Sequence, residues 1–203
     1  SMNGGSGIDW ASYADAHDGV VVGLSTGTGT YGDALGDRLV NIENLEGSAH
    51  NDVLTGDGGA NVMVGGDGFD TLHGEGGDDR LDGGRHKDFL TGGDGDDKIL
   101  GGTGNDLIDG GTGRDVIKGG PGNDTIYGGL GNDTIYGGKN DDVLFGDDGN
   151  DYIDGGSEND TIYGGAGADS LYGNSGDDII YYDPADLFLR GGSGTDTLIA
   201  TGA

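Results

Sequence analysis

Fifteen aspartates fall on one nine-residue register: Asp52, Asp70, Asp79, Asp88, Asp97, Asp106, Asp115, Asp124, Asp133, Asp142, Asp151, Asp160, Asp169, Asp178 and Asp196. Each lies in a glycine-rich stretch with almost no nitrogen or sulfur donors, so the available ligands are carboxylates and free backbone carbonyls. An all-oxygen set of this kind suits a hard dication that accepts six or more oxygens, and calcium fits better than zinc or magnesium. Without a cation the aspartates would repel if stacked, by about 0.8 kcal/mol per pair at roughly 5 Å even in full solvent dielectric. Acid–base catalysis is the rival use of paired carboxylates such as Asp78-Asp79 and Asp96-Asp97. Their recurrence at one point of every repeat assigns them to the turn instead. His17, His50, His73 and His86 have no HExxH spacing, and Asp183-Pro184 reads as a turn break.

The frame that positions these aspartates is a repeat running without interruption from Gly47 to Ile199, seventeen copies in all. Position 1 is Gly in sixteen copies, position 6 is Asp in fifteen, and position 8 is aliphatic or Met in every one. Gly119 to Tyr127 (GGPGNDTIY) and Gly128 to Tyr136 (GGLGNDTIY) show the pattern most clearly. Positions 1 to 6 predict a turn and positions 7 to 9 a short strand whose central residue faces opposite to its neighbours. The inward column then runs from Leu54, Met63 and Leu72 through Ile126 to Leu189 and Leu198. Glycines at positions 1, 2 and 4 would allow positive φ and close stacking.

One coil buries too little to stand alone, so coils must pile up. The expected fold is all-β: a parallel β-roll, a two-sheet right-handed solenoid with 18 residues per coil. Odd copies build one sheet and even copies the other. At a strand spacing of about 4.8 Å the rod would be roughly 40 Å long. Residues 3–46 read as irregular coils capping the amino-terminal end: Gly4 to Ser12 is an out-of-phase repeat, Val20 to Leu24 a strand, and Ser25 to Gly36 a loop. Leu39, Ile42 and Leu45 form an apolar series, and Trp10 is expected to pack over the first coil. The roll occupies 47–199, with 200–203 as the end, and Ser1-Met2 looks like a cloning remnant on an excised fragment.

Composition narrows the function. The 203 residues include 51 glycines and carry a net charge of −29, with 9 Lys and Arg against 38 Asp and Glu. Such acidity opposes binding to nucleic acid or anionic membranes and favours cations. No cysteine is present, which excludes thiolate metal sites. No apolar run is long enough to cross a bilayer and no signal peptide opens the chain.

The GGxGxDxUx pattern, with U a large aliphatic residue, is similar to that of calcium-binding RTX repeats, and residues 47–199 resemble the RTX β-roll of bacterial type I secreted proteins. The resemblance implies a calcium ion between alternate turns. Its ligands would be carbonyls 1 and 3 with the Asp of one turn, and carbonyls 2 and 4 with the Asp of the next on that edge. Carried over, Gly119, Pro121 and Asp124 would share an ion with Gly138, Asn140 and Asp142. The carbonyls of Gly101, Thr103, Gly110, Thr112, Gly128 and Leu130 would act as the first kind, and those of Gly120, Gly122, Gly129 and Gly131 as the second. The family also often carries a lead-in like Ile42 to Asp57.

Asn61 and Leu187 interrupt the Asp column, so sites beside them are expected to be vacant or altered. Position 4 is His50, His86, Asn140 or Glu158 in four odd copies, which would strain those turns. By resemblance this is a non-enzymatic calcium module, secreted to the exterior or surface of a bacterium, that folds on meeting extracellular calcium and assists type I secretion. The alternative is an adhesive or carbohydrate-binding module with a glycan partner.

One outward pattern remains. Tyr127, Phe145, Tyr163, Tyr181 and Ile199 fall eighteen apart, joined by Phe89, Leu107, Val143 and Ile179. They predict either a cross-strand ladder that stiffens the odd sheet or a contact face for a second copy or a neighbouring domain.

Overall fold

The computed structural model describes residues 1–202. Two sheets of ten and eleven strands face each other, parallel except at one amino-terminal edge, and from Asn44–Glu46 onward consecutive strands alternate between them. The register advances by eighteen: Ile108 pairs with Ile126 and Ile126 with Leu144 in one sheet, and Ile117 with Ile135 in the other. This is the β-roll, and its core is the position 8 column. Fifteen of the seventeen inward residues, Leu54 through Ile180, are fully buried. Leu189 is only partly covered and Leu198 is 45% exposed, because no further coil covers them.

Most strands are longer than the repeat alone predicts. Thr125–Leu130 covers positions 7 to 9 and then positions 1 to 3 of the following copy. Pairing resumes at Gly111↔Gly129 and Thr112↔Leu130, because glycine backbones can stay in the ladder where a side chain would collide with the neighbouring coil. The turn shrinks to positions 4 to 6.

The amino-terminal region continues the sheets. Trp10–Ser12 pairs with Asn44–Glu46, which pairs with Val62–Asp67, and Val21–Gly23 pairs with Val53–Thr55. The stretch expected to be a loop at Ser25 to Gly36 instead contains a strand, Thr28–Tyr31, and a 3-10 turn, Gly32–Ala34. That strand is antiparallel to Val21–Gly23 and closes the sheet edge, so the edge offers less template for pairing with another chain. Trp10 does not pack over the coil: it is 46% exposed, and its strand turns Ala11 inward instead, as two-residue alternation requires. Met2 pairs with Leu39 and packs against the core.

Candidate metal centres

Each coil places one position 6 aspartate at each edge of the roll. From Asp52 to Asp178 these residues are at most 2% exposed. Their Oδ1 atoms form a ladder. The Asp106 amide donates to Asp124 Oδ1 at 2.8 Å, and the Asp124 amide to Asp142 Oδ1 at 2.8 Å. The even edge repeats this, with the Asp115 amide on Asp133 Oδ1. The second oxygen has no such partner. In thirteen array aspartates, Asp70 through Asp178, Oδ2 is buried without any hydrogen bond. A buried, unpaired carboxylate oxygen is costly and calls for a cation.

Position 1 glycine makes room for that oxygen. A Cβ on Gly128 would stand 2.7 Å from Asp133 Oδ2 and 2.7 Å from the Gly146 carbonyl oxygen. Position 1 does not take positive φ; positions 2 and 4 do, as at Gly120 (112°) and Gly122 (143°). The repeat alone suggests positive φ at all three glycines, but at position 1 close approach is what excludes a side chain. Three position 4 residues without glycine, His86, Asn140 and Glu158, still adopt left-handed φ of 74–75°, whereas His50 does not. Such a conformation costs about 1 to 2 kcal/mol in each.

The carbonyls point along the roll in alternating directions. Gly102 and Gly104, at positions 2 and 4, aim toward Gly120 and Gly122 on the next coil, while Gly119, at position 1, aims back toward Gly101. Pro121, at position 3, also faces back and accepts the Gly104 amide at 2.9 Å. Gly119, Pro121 and Asp124 therefore face Gly102, Gly104 and Asp106, and Gly138 faces Gly156. This reverses the pairing with Gly138, Asn140 and Asp142 that the resemblance implied. The physical reason is the parallel ladder, which fixes the direction of every carbonyl along the axis. On the even edge the carbonyls of Gly110 and Gly128 face back and that of Gly111 faces forward to Gly129, while those of Thr112 and Leu130 accept the Gly95 and Gly113 amides.

Burial pushes these carboxyls far above the ordinary carboxylate range. Asp88 and Asp142 rise to about 8, Asp70, Asp79, Asp115, Asp151 and Asp160 to about 7, and Asp97, Asp124 and Asp169 to about 6. Desolvation is the main cause in each case. Hydrogen bonds from neighbouring amides oppose it, and nearby carboxylates, such as Asp70 and Asp106 around Asp88, add to it. Neutralisation by a cation relieves the same stress that protonation does.

Two further features shape the edges of the roll. Position 5 carries its own ladder on the surface, running opposite to the Asp column: the Asn123 amide donates to Asn105 Oδ1 at 3.0 Å and the Asn150 amide to Asn132 Oδ1 at 2.7 Å. This separates the roles within Asp96-Asp97. Asp96 binds Arg114 at the surface, and Asp97 is buried in the column. The abundance of Asn and Asp at position 5 was the available signal. At Asn61 the amide replaces the orphaned oxygen with protein contacts, its Nδ2 donating to the Glu43 carbonyl and its Oδ1 accepting the Asp57 amide, both at 2.8 Å. Among the described residues, no three carboxylates or imidazoles converge into a side-chain metal cluster, so any ion must draw on main-chain oxygens.

On the odd sheet's outer face Tyr127, Phe145, Tyr163 and Tyr181 stack with centroids 4.7, 4.7 and 4.4 Å apart and rings within 7° of parallel. Ile179 is 36% exposed beside them, and Ile199 extends the row by pairing with Tyr181. The even sheet holds a looser cluster of Tyr136, Tyr152 and Tyr172, with rings tilted by 36–53°.

Among the described residues no helix is long and apolar enough to cross a membrane. No curated protein gives a significant match to the chain. The family model for the RTX calcium-binding nonapeptide repeat matches in nine overlapping segments, from 41–72 to 154–184. With those matches spanning most of the chain, and the aspartate columns buried as described, this protein belongs to the RTX calcium-binding nonapeptide repeat family.

Proposed function

We propose that calcium folds this RTX module: the chain stays open where calcium is scarce and closes into the roll when millimolar calcium is met outside the cell. The observation that carries the reading is the two rows of buried Asp Oδ2 atoms without partners. Stacking the coils without a cation leaves these carboxylates either unpaired or protonated, and both oppose a folded roll at neutral pH. When bound, calcium supplies compensating charge and accepts the oxygen-only donor set. The chain's part is to hold Asp Oδ2, the position 1 and 3 carbonyls of one coil and the position 2 and 4 carbonyls of the coil before it on the same edge. Binding free energy then becomes folding free energy.

An unfolded, strongly acidic chain suits passage through a secretion channel, and weak calcium affinity suits the exterior, where such modules commonly work. On this reading the protein is secreted by a bacterium through a type I route, and the module is not itself catalytic. The alternative of sugar recognition on the aromatic row is disfavoured by geometry, since the stacked rings already cover one another's faces. The same stacking favours the sheet-stiffening role over a contact face for a second copy.

Far-ultraviolet circular dichroism of the chain in EDTA, then titrated with calcium, tests the reading. A steep disorder-to-β transition is expected, with magnesium a poor substitute because it demands a smaller octahedral cage. Equal β content in EDTA at neutral pH would sink the proposal.

A further inference from the structure

The Asp column fails on the even edge where Leu187 occupies position 6, yet the structure repairs it. Leu187 turns outward and is 64% exposed. Asp186, one residue earlier, takes over: its Oδ1 accepts the Asp169 amide at 3.1 Å, the bond a position 6 aspartate makes elsewhere in the column. Its Oδ2 accepts the Asp183 amide at 2.8 Å, bracing a turn in which the Ala185 amide also binds Asp183 Oδ1 at 2.6 Å. The main chain absorbs the one-residue slip at Asp169, whose carbonyl receives both the Leu187 amide (2.8 Å) and the Phe188 amide (3.4 Å). After that Leu189 is back in the core column, paired with Leu171.

Asp169 gives the independent indication of a ligand. It is fully buried, its Oδ1 is taken by the Asp151 amide, and its Oδ2 has no partner. Asp186 Oδ1 sits on the Asp169 amide, which brings the two carboxylates to the same edge on successive turns. Two carboxylates in this position repel unless something positive joins them, and among the described residues no Lys, Arg or His forms an ion pair with either.

We propose that Asp186 is an out-of-register calcium ligand that, with Asp169, holds an ion at the one coil from which both the glycines and the position 6 aspartate are missing. The even-edge row of ions would then run through the irregular coil, where the repeat pattern alone predicts a vacancy. This rests on the calcium reading above.

Calcium bound per chain, counted by equilibrium dialysis, tests the assignment with four proteins: the unaltered chain, Asp186→Asn, Leu187→Asp, and the double variant carrying both changes. Asp186→Asn should bind one ion fewer. The double variant, with a carboxylate restored in register, should recover that ion, and Leu187→Asp alone should leave the count unchanged. An unchanged count in Asp186→Asn, or a gain of one ion in Leu187→Asp, would overturn the assignment while leaving calcium binding by the regular coils intact. The Leu187→Asp arm decides the question even if Asp186→Asn loosens the end of the roll. An unaltered chain that bound no calcium would remove the reading on which the assignment rests.

Discussion

The amide of Asp106 donates to Oδ1 of Asp124, eighteen residues later, at 2.8 Å. That bond consumes one carboxylate oxygen and leaves the other facing the bare Cα of Gly119 with no donor near it. Every regular coil repeats the arrangement, so the protein's response to cations and to protons follows from it.

Metal-free protein should be more folded in mild acid than in mild alkali. Ten of the buried aspartates titrate near 6 to 8 in the roll, Asp88 and Asp142 highest, against about 4 in an open chain. Between those limits the roll holds protons that the open chain has lost, so stability is greatest near pH 4 and falls as pH rises toward 8. Circular dichroism of calcium-stripped protein across that range checks this. With calcium present the trend should reverse, because ligands must lose protons before they bind. Metal-free β content that rose with pH would refute the burial argument.

Asp124→Asn and Asp52→Asn should behave differently. Asp124 Oδ2 has no protein partner, whereas Asp52 is bonded by the amides of Val20 and Ser48 and by the Ser48 hydroxyl. Calcium titration followed by circular dichroism should show the folding midpoint moving to several-fold higher calcium in Asp124→Asn, and moving less in Asp52→Asn. Equal shifts would mean that Oδ2 plays no part in cation binding.

Gly128→Ala tests the cradle. The added methyl would meet both Asp133 Oδ2 and the Gly146 carbonyl, and overpacking of this kind costs about 1 to 3 kcal/mol. Gly58→Ala is the control. Gly58 has no positive φ and open space around it, so its change should stay within about 0.5 kcal/mol. Urea unfolding in saturating calcium measures both.

Phe145→Ala removes two stacked neighbours, Tyr127 and Tyr163. At about 0.5 to 1.5 kcal/mol per aromatic pair, the loss should reach about 1 to 3 kcal/mol. Phe69→Ala, which loses one edge contact with His86 at a 60% exposed site, should cost less. If the row instead serves a second copy, the Phe145→Lys, Tyr163→Lys pair would turn a calcium-loaded dimer into a folded monomer in sedimentation. The stacked geometry favours a monomer throughout.

The nine-residue period by itself determined the core, the alternation of sheets and the two edges of aspartate, because a pattern so regular has only one way to bury an aliphatic residue from every copy. Leu54 through Ile180 and Asp52 through Asp178 are buried where their positions in the repeat place them. Tertiary structure decided what depends on direction and contact between coils. Parallel stacking set which way each carbonyl points, and so which turns face each other. Close approach, not φ, explains Gly128, a distinction invisible in a string of glycines. The Ser25 to Gly36 stretch became a closing hairpin and Trp10 turned outward, both fixed by partners far away in the chain. Asp186 is the sharpest case: it breaks the sequence pattern, yet a one-residue slip of the backbone brings its carboxylate to the Asp169 amide, because the ladder constrains where an oxygen must be and not which residue number supplies it.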